Sequence, residues 1–201
     1  MATIAIGIVA HHSRLGAATK LASQLHANPT IDWEDLGERW CHQETLRHLL
    51  DTDADWYVLL EDDAIPCANF TEHVTEALDE APSPIVSLYL GTGRWAGTVP
   101  KLQAPYLQKS IALAEQHGAE WILGKGMWHA VAIAVRRDHA ASLLAHWEGA
   151  RSATDLATSG YIQAHRIPVA YTWPSHVDHD DSTRIVTTGD KPVTRRAWAV
   201  V

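Results

Sequence analysis

Trp56-Tyr57-Val58-Leu59-Leu60, followed without a break by Glu61-Asp62-Asp63, is the stretch on which the reading of this chain turns. Five apolar residues without polar alternation describe a strand covered on both faces, as in the sheets of α/β proteins. In open α/β sheets the carboxyl ends of the strands carry the ligand site, and here such an end carries three consecutive carboxylates. Like charges crowded at the edge of a core repel one another and lose hydration, so they require compensation. A hard divalent cation with oxygen ligands supplies it. The competing explanation is an acidic turn before the next helix, whose N-terminus favours negative charge; that helix is marked by Phe70, Val74, Ala77 and Leu78 on one stripe.

Outward from this segment the same alternation continues. Ala2–Ala10 (ATIAIGIVA) predicts a buried strand, His11-His12-Ser13-Arg14 a polar loop, and Leu15–His26 a helix with Leu15, Ala18, Leu21, Ala22 and Leu25 on one face. Thr30–Trp33 predicts a short strand, and Gly37 opens a second helix carrying Leu46, Leu49 and Leu50. Further strands are expected at Ile85–Leu90, Met127–Val135 and Val169–Trp173, with helices at Tyr106–His117, Asp138–Trp147 and from Thr154, which reads as an N-cap. Gly91–Pro105 reads as a long binding loop or lid. The βαβα order predicts an α/β fold: a mostly parallel, Rossmann-like sheet flanked by helices. At 201 residues, without repeat or linker, the expectation is one domain over 1–201. Its nucleotide half would cover about 1–90, its acceptor half about 91–185, and a basic tail 186–201.

Composition narrows the classes. Apolar residues at 46% and charged ones at 20% are ordinary for a globular chain. A net charge of −8 speaks against a protein that coats nucleic acid, though not against local contact with it. Cys41 and Cys67 lack metal-ligand spacing and are expected as free thiols. Met1–Val9 has no basic n-region, and no apolar run reaches membrane-spanning length, so a cytoplasmic location is expected.

Two more polar clusters stand where strands end. His11, Ser13 and Arg14 offer donors to a phosphate or a nucleotide edge. His176, Asp178, His179, Asp180 and Asp181 crowd the loop after the last strand, where an imidazole would join the carboxylates on one metal. The segment Arg184–Val201 concentrates Arg184, Lys191, Arg195 and Arg196 against the single Asp190, which suits a diphosphate, with Trp198 as an anchor. Trp95 and Trp128 are positioned either to stack on a sugar or base, or to pack. In the metal-free protein, removing Asp63 should relieve repulsion among like-charged neighbours and leave stability unchanged or slightly raised.

The run DWYVLLEDDAIPCANF, after a helix containing GERWCHQETLRHLL, resembles the acidic metal motif of GT-A glycosyltransferases that use nucleotide sugars. It is most similar to short members related to the lipopolysaccharide family 25 group, and to small proteins of viruses infecting actinobacteria. GKGMWHAVAIAVRRDHAASLLAHW and ATDLATSGYIQAHRIPVAYTWPSHVDH resemble, in order, the segment after the acceptor loop and the closing run. The resemblance covers Gly37 to about Ser182 and departs at His129, where glycine is expected. It implies a GT-A-like fold and a metal-dependent transferase working with Mn2+ or Mg2+. Asp63 would bind the metal with His179. Glu61 and Asp62 would hold the ribose and metal-bound waters, and Asp155 would face the acceptor, beside Trp95 and Trp128. Chemistry agrees with these roles: a cation neutralises the departing diphosphate, and an inverting reaction needs a base, for which Asp155 is the candidate. The acceptor would be a glycan or a hydroxymethylpyrimidine of phage DNA. A metal-dependent phosphoesterase or nucleotidyltransferase, and a non-catalytic nucleotide- or sugar-binding module, are the alternatives.

Overall fold

The computed structural model describes residues 1–91, 103–180 and 196–201, with 103–105 as backbone only. Its elements in chain order are β1 (Ile4–His11), α1 (Leu15–Leu25), β2 (Asn28–Asp32), α2 (Glu38–Leu49), β3 (Trp56–Glu61), β4 (Ala64–Pro66), α3 (Phe70–Asp79) and β5 (Ile85–Ser87). They continue with α4 (Gln103–His117), β6 (Trp121–Gly124), β7 (Ala132–Arg136), α5 (Arg137–Gly149), α6 (Thr154–His165), β8 (Val169–Thr172) and β9 (Val177–His179). A seven-stranded sheet has the order β2-β1-β3-β7-β5-β8-β6. β1, β2, β3, β5 and β8 run one way, and β6 and β7 run against them. The fold is therefore the mostly parallel α/β sheet that the sequence predicts.

β3 shows why the apolar run forms a central strand. Trp56, Val58 and Leu60 point into one layer, with Ala18, Leu21 and Leu25 of α1 and Phe70, Val74 and Leu78 of α3. Tyr57 and Leu59 point into the other, with Leu46 and Leu49 of α2, Leu143 and Trp147 of α5 and Tyr161 and Ile162 of α6. A strand sandwiched this way needs apolar side chains at every position, and WYVLL supplies them. α2 lies so close to β1 that a methyl group on Gly7 would come within 2.4 Å of Thr45 Cγ2, which only glycine avoids.

Several boundaries differ from expectation. The apolar segment Met127–Val135 forms a strand only over Ala132–Arg136, and it pairs antiparallel with both β3 and β5. Met127 and Trp128 instead anchor the approach to it: Met127 N donates to Ser159 Oγ and Trp128 N to Tyr171 Oη. Thr154 is the first residue of α6 and not its cap; the cap position belongs to Ala153, without a side-chain bond. β4 and β9 form a two-stranded antiparallel ribbon of their own, built from segments read as loops. Trp95, Asp181, Arg184, Lys191 and Arg195 lie outside the described residues.

Candidate functional site

The register of the sheet brings three strand ends into line. His11 of β1 sits beside Asp32 of β2, and Val9 of β1 beside Glu61 of β3. The chain then leaves β3 through Asp62 and Asp63 directly into β4, whose Ala64 pairs with His179 of β9. Asp180 N donates to Asp63 O at 2.8 Å, which extends the ribbon by one rung. This local pairing sets His179 Nε2 3.2 Å from Asp63 Oδ2. Two residues separated by more than a hundred positions, both singled out from sequence as metal ligands, thus meet in one buried spot; their side chains are 8% and 1% exposed.

Arg14 comes from the 3-10 turn His12–Arg14 that follows β1. Its Nε lies 3.0 Å from Asp62 Oδ1 and its Nη1 2.6 Å from Asp63 Oδ2. Asp62 is occupied at its other oxygen as well, where Oδ2 accepts the His11 amide at 2.9 Å. Asp62 therefore works as a brace between β1 and β3, joining the His11 amide to the Arg14 guanidinium. Removing Asp63 therefore does not simply relieve repulsion, contrary to the expectation from sequence, because Arg14 is a counter-ion shared by Asp62 and Asp63.

The protonation states follow from these contacts. Burial acts to raise the Asp63 pKa, but the hydrogen bond and charge of His179, with the Arg14 guanidinium, hold it below the usual carboxylate value. Burial raises Asp62, only partly offset by the His11 amide and Arg14. Glu61 is pushed well above the carboxylate range by desolvation first, then by repulsion from Asp63, Glu38 and Asp62. Adjacent carboxyls thus carry different charges at one pH, which is how paired acids acquire distinct roles. Asp63 Oδ1 is buried and accepts no hydrogen bond among the described residues. An anionic oxygen left so, beside an imidazole, matches the oxygen-plus-imidazole donor set of a divalent cation.

A second set of groups approaches Glu61 from the α2 side. Ligand-type atoms of Glu38, His42 and Glu61 lie within 4.8 Å of one another. His42 is fully buried, with Nδ1 3.0 Å from Glu38 O and its ring edge-on to Trp147. Thr154 N reaches Glu38 Oε2 at 3.5 Å, and Arg39 Nη1 donates to Ser152 O at 3.0 Å. These contacts tie the start of α6 to the start of α2, and with it Asp155 in the first turn of α6. Glu38 and His42 went unremarked in the sequence, although their i,i+4 spacing at a helix start was a readable signal.

The other expected site residues are dispersed. His11 Nδ1 meets Ser13 Oγ at 2.7 Å and its Nε2 meets Asp35 Oδ1 at 2.7 Å, so both ring nitrogens are engaged. Trp128 is half-buried and stacked on Tyr171 at 5.3 Å. His129, the departure from the family pattern, packs edge-on to Tyr89 at 5.3 Å, and Tyr89 in turn lies 6.2 Å from the His179 ring. Among the described residues of the histidine-rich loop, His179 brings its ring to Asp63 and Asp180 its amide. His176 is buried beside His73, while Asp178 accepts from Arg196 Nη1 and Ala197 N. Arg196 is thus held by Asp178 at the ribbon. Trp198, 38% exposed, donates from Nε1 to Gly91 O at 3.1 Å.

No protein-family model matches the chain, and no curated protein sequence matches it. Solved structures do. A197 from STIV superimposes with a TM-score of 0.51 at 13% identity, covering 100% of this chain and 97% of that one. A glycosyltransferase involved in the glycosylation of the major capsid of PBCV-1 superimposes with a TM-score of 0.50 at 13% identity, covering 90% and 94%. At this identity the likeness is one of fold, and it spans nearly the whole length of all three proteins.

Proposed function

We propose that this chain is a metal-dependent glycosyltransferase that moves a sugar from a nucleotide-sugar donor to an acceptor hydroxyl. The observation that carries the reading is the pairing of Asp63 with His179 across the β4–β9 ribbon, with Asp63 Oδ1 unclaimed, at the carboxyl end of the sheet. Asp63 and His179 would hold the Mn2+ or Mg2+, which would supply neutralisation of the diphosphate leaving group. Asp62 keeps Asp63 in place by fastening β1 and Arg14 to the same turn. Arg14 offers a phosphate oxygen the same donors it now gives Asp63, and Ser13 adds a hydroxyl at the exposed rim. Glu61, protonated further up the pH scale than its neighbours, both donates to and accepts from a ribose hydroxyl. Asp155, in the first turn of α6, would take the proton of the acceptor hydroxyl as it attacks the anomeric carbon.

The fold shared with a capsid-glycosylating viral enzyme supports this reading. The acceptor class is a glycan or a hydroxymethylpyrimidine in phage DNA. With a net charge of −8, a DNA acceptor would be met through a local patch, such as that of Arg195 and Arg196, and not through a broad basic face. Incubation with a panel of radiolabelled nucleotide sugars and Mn2+ tests the proposal. Release of free sugar or its transfer, dependent on Mn2+ and lost in Asp63→Asn, is the expected result. Cleavage of simple phosphate esters with intact nucleotide sugars would assign the site to a phosphoesterase. A melting-temperature shift without turnover would assign it to a binding module.

A further inference from the structure

Beyond the Asp63 centre, the polar loop after β1 converges with the loop after β2. His11 Nε2 and His12 Nε2 lie 2.7 and 3.1 Å from the same atom, Asp35 Oδ1. All three ligand-type atoms are within 4.8 Å of one another. We propose that His11, His12 and Asp35 form a second cation site, distinct from that at Asp63 and suited to Zn2+ and related late transition metals.

The loop that presents Asp35 is built, not loose. Asp32, 2% exposed at the end of β2, accepts the Leu36 amide at 3.0 Å and the Glu34 amide at 3.3 Å through Oδ1, and the Gly37 amide at 2.7 Å through Oδ2. Within that clamp Asp35 takes φ +56°, a left-handed conformation that L-residues adopt at a cost. An exposed carboxylate that merely pairs with imidazoles returns little for such a conformation, whereas a ligand to a cation returns more. His12 is oriented by Trp33, whose ring stacks on it at 6.4 Å and 14°. His11 is held by Ser13, whose amide donates to its Nδ1 at 3.2 Å and whose Oγ lies 2.7 Å from the same nitrogen.

Tetrahedral ligands at about 2.0–2.2 Å from zinc stand roughly 3.3 Å from one another. The observed 2.7 and 3.1 Å separations would open by about 0.6 and 0.2 Å to reach that spacing. Two imidazoles and one carboxylate favour Zn2+, Co2+ or Ni2+ over the hard Mg2+, leaving a fourth position for water. Side-chain exposures of 22%, 37% and 71% leave an open approach for the ion. Ligation through Nε2 needs each ring neutral with its proton on Nδ1, where in His11 the Ser13 Oγ at 2.7 Å can accept it.

The test uses tag-free, chelator-treated full-length protein without nucleotide, so its outcome does not depend on the glycosyltransferase reading. Zn2+ is titrated by calorimetry under excess Mg2+, and Co2+ is followed by its visible ligand-field absorption. One equivalent of Zn2+ should bind, with a tetrahedral Co2+ spectrum from mixed nitrogen and oxygen ligands. His12→Gln and Asp35→Asn, at exposed positions, should each weaken Zn2+ binding at least tenfold, while Asp63→Asn leaves it unchanged. Absence of Zn2+ binding, or Zn2+ binding that survives both His12→Gln and Asp35→Asn, would overturn the proposal. So would binding lost only in Asp63→Asn.

Discussion

Arg14 and Asp63 hold each other in a nearly dry turn, so substituting either changes both charge balance and ligand supply. Asp63→Asn should reduce transfer by roughly a hundredfold or more, because it removes the anionic ligand at the developing charge. Its stability should fall, by less than the roughly 3–5 kcal/mol expected when a buried charge is fully stranded, since Arg14 retains Asp62. Arg14→Met is the more damaging change, because it leaves Asp62 and Asp63 without their shared cation. Added Mn2+ should raise the melting temperature of Arg14→Met more than that of the unaltered protein, and an equal response would show that the cation does not bind these carboxylates. His176 provides a separate titration. Burial, with repulsion from His73, lowers its pKa to about 4, from an ordinary value near 6.5. A histidine depressed in this way contributes stability that is complete above the unfolded pKa and is lost as pH falls towards the folded one. Denaturant melts between pH 7 and 4 should therefore lose up to about 3 kcal/mol through this group. His176→Asn should flatten that portion of the profile, and an unchanged slope would show that the loss comes from elsewhere.

Among the elements, β3 and its acidic end were readable because an apolar run with no alternation and three carboxylates are local signals. The β4–β9 ribbon was not, since Ala64-Ile65-Pro66 and Val177-Asp178-His179 are too short to show a period and acquire one only by pairing. That is why His179 could be singled out as a metal ligand while the contact that places it against Asp63 could not be seen. The antiparallel setting of β7 was hidden for a related reason: a buried strand reads the same in either direction. Asp35 left no mark at all, since its position depends on the Asp32 clamp, a contact of side chain to backbone. The chain end is a further element that composition described only as basic. Residues 196–201 lie along Leu90–Gly91 and Ser175, with Trp198 N donating to Leu90 O, Ser175 N to Ala199 O and Val201 N to Ser175 O. Deleting 196–201 removes these bonds together with the Arg196–Asp178 pair beside His179. With about 1 kcal/mol for each net hydrogen bond, less the entropy regained, a loss of roughly 1–3 kcal/mol is expected in urea melts. No change in midpoint would show that the end contributes nothing to the ribbon's support. Gly7→Ala should cost a similar amount, about 1–3 kcal/mol, by pushing α2 off β1 at Thr45.

Over the whole molecule, the candidate site residues named above gather at one rim. Asp32, His11, Glu61, Asp62 and Asp63 follow from three neighbouring strand ends, His179 arrives by the ribbon, and Glu38 and Asp155 arrive on two helix starts tied together at Thr154. Among the described residues no helix is long and apolar enough to cross a membrane. On the proposed function, an acidic chain with a net charge of −8 would gain a diphosphate ligand against its own field, so a bridging cation should govern donor affinity. Because such a cation takes ligands from protein and phosphate alike, each partner strengthens the other's binding. Calorimetric titration of the nucleoside diphosphate, in Mn2+ and again in chelator, measures that coupling directly. The account predicts binding at least roughly tenfold tighter with Mn2+, a coupling of about 1.4 kcal/mol or more, abolished in Asp63→Asn. Equal affinities in the two titrations would contradict it.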